Sequence, residues 1–253
     1  MKSANPWILR RRIVRNPRLR LFLFPHGGGG AGSYLGWDAR FPADIELCAV
    51  QLPGREARFA EPRLTRLAAL VEALAPALAP LTDVPFAMFG HSMGSLVGYE
   101  LCRHWRSAGL EPTYFFASGY PGPRVAVHRD PGLHTLGDDE LIRELRRLGG
   151  LPKEVVEAPE LLKLCLPVVR ADFEMCETWR PAHAAALSCS VLAMGGYDDV
   201  YVDEHGLDAW RDETTGKFAR VMLAGDHFYH MNAATRAPLL DVLVASLTTV
   251  LAA

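Results

Sequence analysis

The chain has no excess charge of either sign, no paired cysteines and no long apolar run, and each absence closes a class of function. Its 253 residues carry 27 Lys+Arg against 29 Asp+Glu, too balanced to hold nucleic acid by a strong field. The five cysteines (Cys48, Cys102, Cys165, Cys176 and Cys189) are odd in number and have no CxxC spacing. Set mostly in apolar stretches, they read as buried free thiols of a reducing compartment, not as disulfides or a zinc site. No segment approaches the roughly 20 uninterrupted apolar residues of a membrane span, and MKSANPWILRRR has no apolar signal-peptide core. Internal repeats and low-complexity linkers are also lacking. The expectation is a cytoplasmic protein with no membrane, nucleic-acid or metal partner. One local imbalance stands out: Arg10, Arg11, Arg12, Arg15, Arg18 and Arg20 cluster early. They read either as a solvated sheet edge or as a dock for an acidic protein.

What is present is a rhythm. Short apolar runs recur at 19–24, 45–52, 85–90, 113–118, 190–195 and 219–225, and they read as strands buried on both faces. Between them lie helical patterns. Leu64, Leu67, Val71, Leu74 and Leu78 share one face, with Pro76 expected to kink or shorten that helix. Val97, Leu101 and Trp105 follow Met93, with Gly109 as a stop, and PLLDVLVASLTTVLAA closes the chain. Alternating strands and helices imply an α/β fold with a mostly parallel sheet. Residues 128–185 break the rhythm with helix signals and no strand, so they are expected to be a helical lid. The core would comprise 1–127 and 186–253.

Two glycine-rich stretches carry the chemistry. Gly90-His91-Ser92-Met93-Gly94 matches G-x-S-x-G, with a strand running in and a helix running out. That context predicts a nucleophile elbow, with Ser92 at a helix N-terminus. A serine hydroxyl needs a base, and this fold orders the set as Ser, acid, His. His227 follows the last strand and is the expected base, with His230 the alternative. The acid should end the preceding strand, where Asp198 fits the spacing from Gly195 and Asp199 is the runner-up. The catalytic set expected is therefore Ser92, Asp198 and His227.

The second stretch, Gly27-Gly28-Gly29-Gly30-Ala31-Gly32, literally matches a dinucleotide-binding G-x-G-x-x-G. That reading wants an acidic residue at the far end of the next strand, where Gln51-Leu52 stand instead. No GK[ST] follows, so a P-loop is excluded. The loop serves better as an oxyanion hole, with the backbone N–H of Gly27 (Gly28 next) joining that of Met93.

With FPHGGGGAGSY, QLPGREARF, FGHSMGSLVGYEL, ELRRLGGLPKEV, LPVVRADFEMCETW and GDHFYH in view, the chain resembles the type II (editing) thioesterases of polyketide and nonribosomal peptide synthesis. It departs from their common pattern at Gly27, where alanine is usual, and at Asp226, where glycine is. The resemblance implies an α/β-hydrolase fold and hydrolysis of short or aberrant acyl thioesters. The partners implied are acyl and peptidyl carrier protein domains, whose phosphopantetheine arm bears the substrate. No cofactor of the enzyme's own is implied. A carboxylesterase, an acyltransferase and a catalytically silent acyl-binding protein of the same fold are the competing readings.

Overall fold

The computed structural model describes residues 5–125, 130–150, 155, 158–181 and 185–252. The expected boundary at 127/128 lies outside them, as do His128 and His183. Seven strands form one sheet: β1 (Ile8–Leu9), β2 (Leu19–Phe24), β3 (Ile45–Val50), β4 (Phe86–His91), β5 (Tyr114–Ser118), β6 (Ser190–Gly196) and β7 (Phe218–Leu223). Their order is β1-β3-β2-β4-β5-β6-β7, with β1 antiparallel to β3 and all other pairs parallel. Six of these strands coincide with the apolar runs. The two-residue β1 escapes the sequence reading because it is too short to show a period.

Alternation along the strands splits the core into two layers. Phe22, Phe24, Met88 and Phe115 point to one face, where they meet α1 (Leu67–Leu78) and α2 (Met93–Arg106). Leu21, Leu23, Phe89 and Phe116 point to the other, where they meet Trp37 and the leucines of the C-terminal helix, Ala233–Ala252. That helix is long and apolar enough to cross a membrane by length and composition. Its Leu239, Leu240, Leu243 and Leu247 are instead buried on the sheet. Pro76 does not break α1; it falls in the last turn, where its missing N–H costs one bond.

Between β5 and β6 the described residues hold helices and no strand. Here α3 (Asp138–Arg147) and α4 (Pro159–Thr178) share a small core of Leu133, Leu141, Leu145, Leu148, Leu166 and Val169. Later in the chain, α5 (Glu204–Asp208) follows β6, and the C-terminal helix is α6. Pro167 sits inside α4, which continues past it to Thr178.

Four of the six early arginines, Arg10, Arg12, Arg18 and Arg20, make structural contacts. Arg12 donates to the carbonyls of Phe41, Pro42 and Ile45, and Arg18 to that of Leu251. Arg20 pairs with Asp83 and, at 2.7 Å, with Glu46, which also faces Arg10 at 3.5 Å and accepts the Val14 N–H at 3.0 Å. These contacts gather at the starts of β2 and β3, and the glycine loop and Ser92 lie at the opposite strand ends. The cluster thus lies at the end of the sheet away from Ser92. Removing one partner of a buried ion pair leaves the other uncompensated, at about 3–5 kcal/mol. Glu46→Ala should lower urea-unfolding stability by about that amount. Turnover per folded molecule should stay unchanged, because the change lies at the far end of the sheet.

Candidate active site

Four strand ends build the site. At the end of β4 the chain turns into α2 through Ser92, whose backbone lies at φ 52 and ψ −121. Few non-glycine residues adopt such a geometry, and it persists only where neighbours impose it. Here the neighbours are named. A Cβ on Gly90 would fall 2.2 Å from Gly94 O, and one on Gly94 would fall 2.1 Å from Phe24 O. The strand, the elbow and α2 are thus in backbone contact that only glycine permits. The Ser92 N–H donates to Ser118 O at 2.7 Å, and the buried Ser95 Oγ lies 2.8 Å from Gly90 O and 3.0 Å from Ser118 O. Ser95 pins the elbow to β5, a part that the motif alone does not announce.

The Met93 N–H is the first of α2 and faces no intrahelical acceptor. Among the described residues, no backbone or side-chain hydrogen bond uses the N–H of Met93 or of Gly27. Gly28, the second choice as donor, is already engaged: its N–H donates to Asp172 at 2.7 Å. Gly27, Ser92, Met93 and His227 line one cavity of about 590 Å³. Leu145, Leu148, Val169 and Phe173 of the insertion supply much of its apolar wall.

His227 is held by a carboxylate, and the carboxylate is Asp199. Its Oδ2 lies 2.8 Å from His227 Nδ1, and its Oδ1 accepts the N–H groups of Tyr201 (2.7 Å) and Val202 (3.3 Å). This corrects the expectation of Asp198. A turn closes from the Asp199 N–H to Gly196 O at 3.2 Å, putting Asp198 at its outward corner in solvent while Asp199 folds back. Spacing from Gly195 cannot separate two adjacent residues; the turn does. Asp226 does not compete, because its Oδ1 accepts the Phe228 N–H at 2.8 Å and it stands exposed.

His230, the alternative base, lies fully buried, its ring stacked on His91 at 3.8 Å between centroids and within 3.3 Å of His26. His91 in turn meets Ser118 at 2.8 Å, and Ser118 meets the Tyr229 hydroxyl. Burial drives both His91 and His230 well below the usual imidazole range. Burial first, then the nearby His227 and Arg55, lowers His26 to about 4. Three neutral imidazoles therefore pack near His227.

This sheet, with a glycine-flanked serine turn after β4 and a carboxylate-held histidine after β7, is that of the α/β-hydrolase fold. Residues 19–243 match the thioesterase domain family, and the chain belongs to it. It is 38% identical over 230 residues to the gramicidin S biosynthesis protein GrsT of Aneurinibacillus migulanus, covering 90% of each chain. Among solved structures it is similar to the type II thioesterase BorB from the borrelidin cluster, with TM-score 0.87, 33% identity, and 97% of this chain and 98% of that one covered. It is also similar to RedJ, a thioesterase of the prodiginine pathway in Streptomyces coelicolor, with TM-score 0.86, 35% identity and 90% of each chain covered.

Two outcomes follow from this geometry. Gly94→Ala must push backbone against backbone, so it should cost about 1–3 kcal/mol and lower Tm by roughly 2–12 °C in calorimetry. Asp199→Asn should cut kcat by roughly 10³–10⁴-fold, as loss of the orienting carboxylate does in serine hydrolases, while Asp198→Asn stays within about twofold in parallel assays.

Proposed function

We propose that the chain hydrolyses acyl thioesters carried on the phosphopantetheine arm of carrier protein domains, with Ser92 as nucleophile, His227 as base and Asp199 as its orienting acid. The thioester carbonyl would rest with its oxygen toward the N–H groups of Gly27 and Met93. Ser92 Oγ attacks the carbonyl carbon as His227 Nε2 takes its proton, and the charge that develops on oxygen is met by the two amides. Collapse expels the arm thiol, which receives the proton from His227. A thiol, with pKa near 8.5, leaves more readily than an alcohol. Water, deprotonated by His227, then attacks the acyl-serine and releases the free acid. Asp199 fixes the imidazole tautomer, so Nε2 is the nitrogen free to act.

The observation that carries this reading is the convergence of Ser92, the Asp199-held His227 and two unbonded amides on one cavity. Residues 128–185 are proposed as a lid, because Leu145, Leu148, Val169 and Phe173 wall the cavity above the sheet. Their apolar surface suits an acyl chain. Relatives named for gramicidin S and borrelidin biosynthesis, and the similar structures ClbQ and YbtT named for NRPS/PKS pathways, support carrier-bound substrates. The arrangement calls on no cofactor, and among the described residues no group of His, Cys, Asp and Glu is placed to hold a metal ion. The cytoplasm, where such carriers work, is the proposed compartment.

Intact-mass spectrometry of acyl-loaded carrier proteins tests this directly. Wild type should return the carrier to its free-thiol mass with release of the acid. Ser92→Ala should leave the acyl mass in place while melting like wild type. Turnover retained by that variant overturns the nucleophile. A preference for a simple ester over the carrier of the same acid favours a carboxylesterase, and a transferred acyl mass on an added alcohol or amine favours an acyltransferase.

A further inference from the structure

Asp172 of α4 is a buried carboxylate that the mechanism above does not use, yet it lines the cavity beside Gly27. Its Oδ2 accepts the Gly28 N–H at 2.7 Å and Arg55 Nη1 at 2.6 Å, and its Oδ1 accepts Arg55 Nη2 at 2.8 Å. The two side chains are only 1% and 6% exposed. Arg55 also reaches Gly29 O at 3.2 Å, and the backbone beside it is held by Gln51, whose Nε2 donates to Arg55 O at 3.0 Å. One carboxylate of the insertion thus ties together the glycine loop and the 51–56 loop.

The tie falls on a turn. The Gly29 N–H donates to His26 O at 3.0 Å, Gly28 has φ +79, and Gly27 is not in the positive region. Gly27 and Gly28 therefore form the corners of a type II turn. The peptide between the corners is the unit that can rotate with little motion of the turn's ends. Asp172 faces its N–H side. Rotation would swing the Gly27 carbonyl oxygen toward the carboxylate, which would repel it. The helix α4 also packs directly on this corner, since a Cβ on Gly28 would lie 2.8 Å from Val169 Cγ2.

We propose that Asp172 is a positioning residue: from the insertion, its bond to the Gly28 N–H anchors the His26–Gly29 turn against α4, and with the turn the Gly27 N–H that meets the substrate oxygen. The oxyanion hole is then complete only while α4 is docked. If α4 lifted away, the buried Arg55 and the Gly28 N–H would both lose their acceptor, so closure over the acyl chain and assembly of the hole are one event. This deepens the hydrolase reading and rests on it.

An alkyl fluorophosphonate tests both levels. Ser92 Oγ forms the bond to phosphorus, fluoride leaves, the serine proton passes to His227, and the phosphoryl oxygen takes the place of the oxyanion. Wild type should react; failure to react overturns the Ser92 reading and the proposal with it. Arg55→Met combined with Asp172→Leu removes both charges and leaves neither unpaired. That variant should unfold cooperatively near the wild-type Tm, yet react about 10²-fold more slowly, the scale of a lost oxyanion donor. Its kcat on an acyl thioester should fall in proportion, with KM within about threefold. Asp172→Asn keeps an acceptor for Gly28 and should react at least about tenfold faster than Asp172→Ala, each counted per titrated active site. A folded double variant reacting at the wild-type rate overturns the proposal. Equal rates for Asn and Ala also overturn it, and need no folded double variant.

Discussion

The strained backbone of Ser92 is the constraint on which the rest of the molecule depends. A residue at φ 52 and ψ −121 returns to an ordinary conformation unless its surroundings forbid it. Phe24 O closes one side, because Gly94 lies against it with no room for a Cβ. Ser118 closes the other, taking the Ser92 N–H and the Ser95 hydroxyl. Both closures come from strands neighbouring β4 in the sheet. The strands β2 and β5 are therefore more than a core: they are the clamp that holds one hydroxyl proud of the surface. Parallel pairing supplies the remaining geometry, because it brings the carboxyl ends of β2, β4, β6 and β7 to the same edge.

How far this was readable from the residues follows from what each signal encodes. Both-face burial leaves unbroken apolar runs, so β2 to β6 were legible almost to the residue; β7 was legible from its apolar residues, but as an edge strand it buries only Leu223, not both faces as expected. The elbow was legible because Gly90 and Gly94 are demanded by backbone contacts four residues apart. Asp199 was not separable from Asp198, since the choice rests on a turn that spacing does not record. The contacts of the early arginines were not legible, because charge in a sequence says nothing about its partner: Glu46, Phe41 and Leu251 come from elsewhere in the chain. Arg55 and Asp172 lie 117 residues apart, and no local pattern joins them. The general rule here is that elements and their tight turns are local, whereas charge partners are not.

The histidines show the same division. Sequence order alone favours His227 over His230, but the physical difference is solvent and partners. His227 opens on the cavity and has a carboxylate; His230 is sealed under the site against His26 and His91, with the cation of Arg236 also acting on it. A base must carry a proton during turnover, and an imidazolium without a counter-charge is costly to bury. Burial holds His91 and His230 neutral, so they can pack against the region of His227 without repelling the charge it gains. They act as flat, polarizable filler with hydrogen-bonding edges, where phenyl rings would leave Ser118 and His26 without their contacts.

Charge in this site is consequently spare. His227 pairs with Asp199 and Arg55 with Asp172, and in the mechanism proposed above the substrate oxygen meets neutral amides. Amides suit that task better than a cation would. A fixed positive group at the oxyanion position would stabilise any anion that entered, including the product acid, whereas two N–H dipoles favour the geometry of the tetrahedral intermediate over the ground-state carbonyl. Release of a carboxylic acid from a largely apolar cavity is then assisted by the lack of a free cation at the oxyanion position. The Arg55 guanidinium is already neutralised by Asp172, the carboxylate proposed to anchor the glycine turn. The buried pair thus serves the chemistry twice, by fixing the amide and by keeping the arginine from the product.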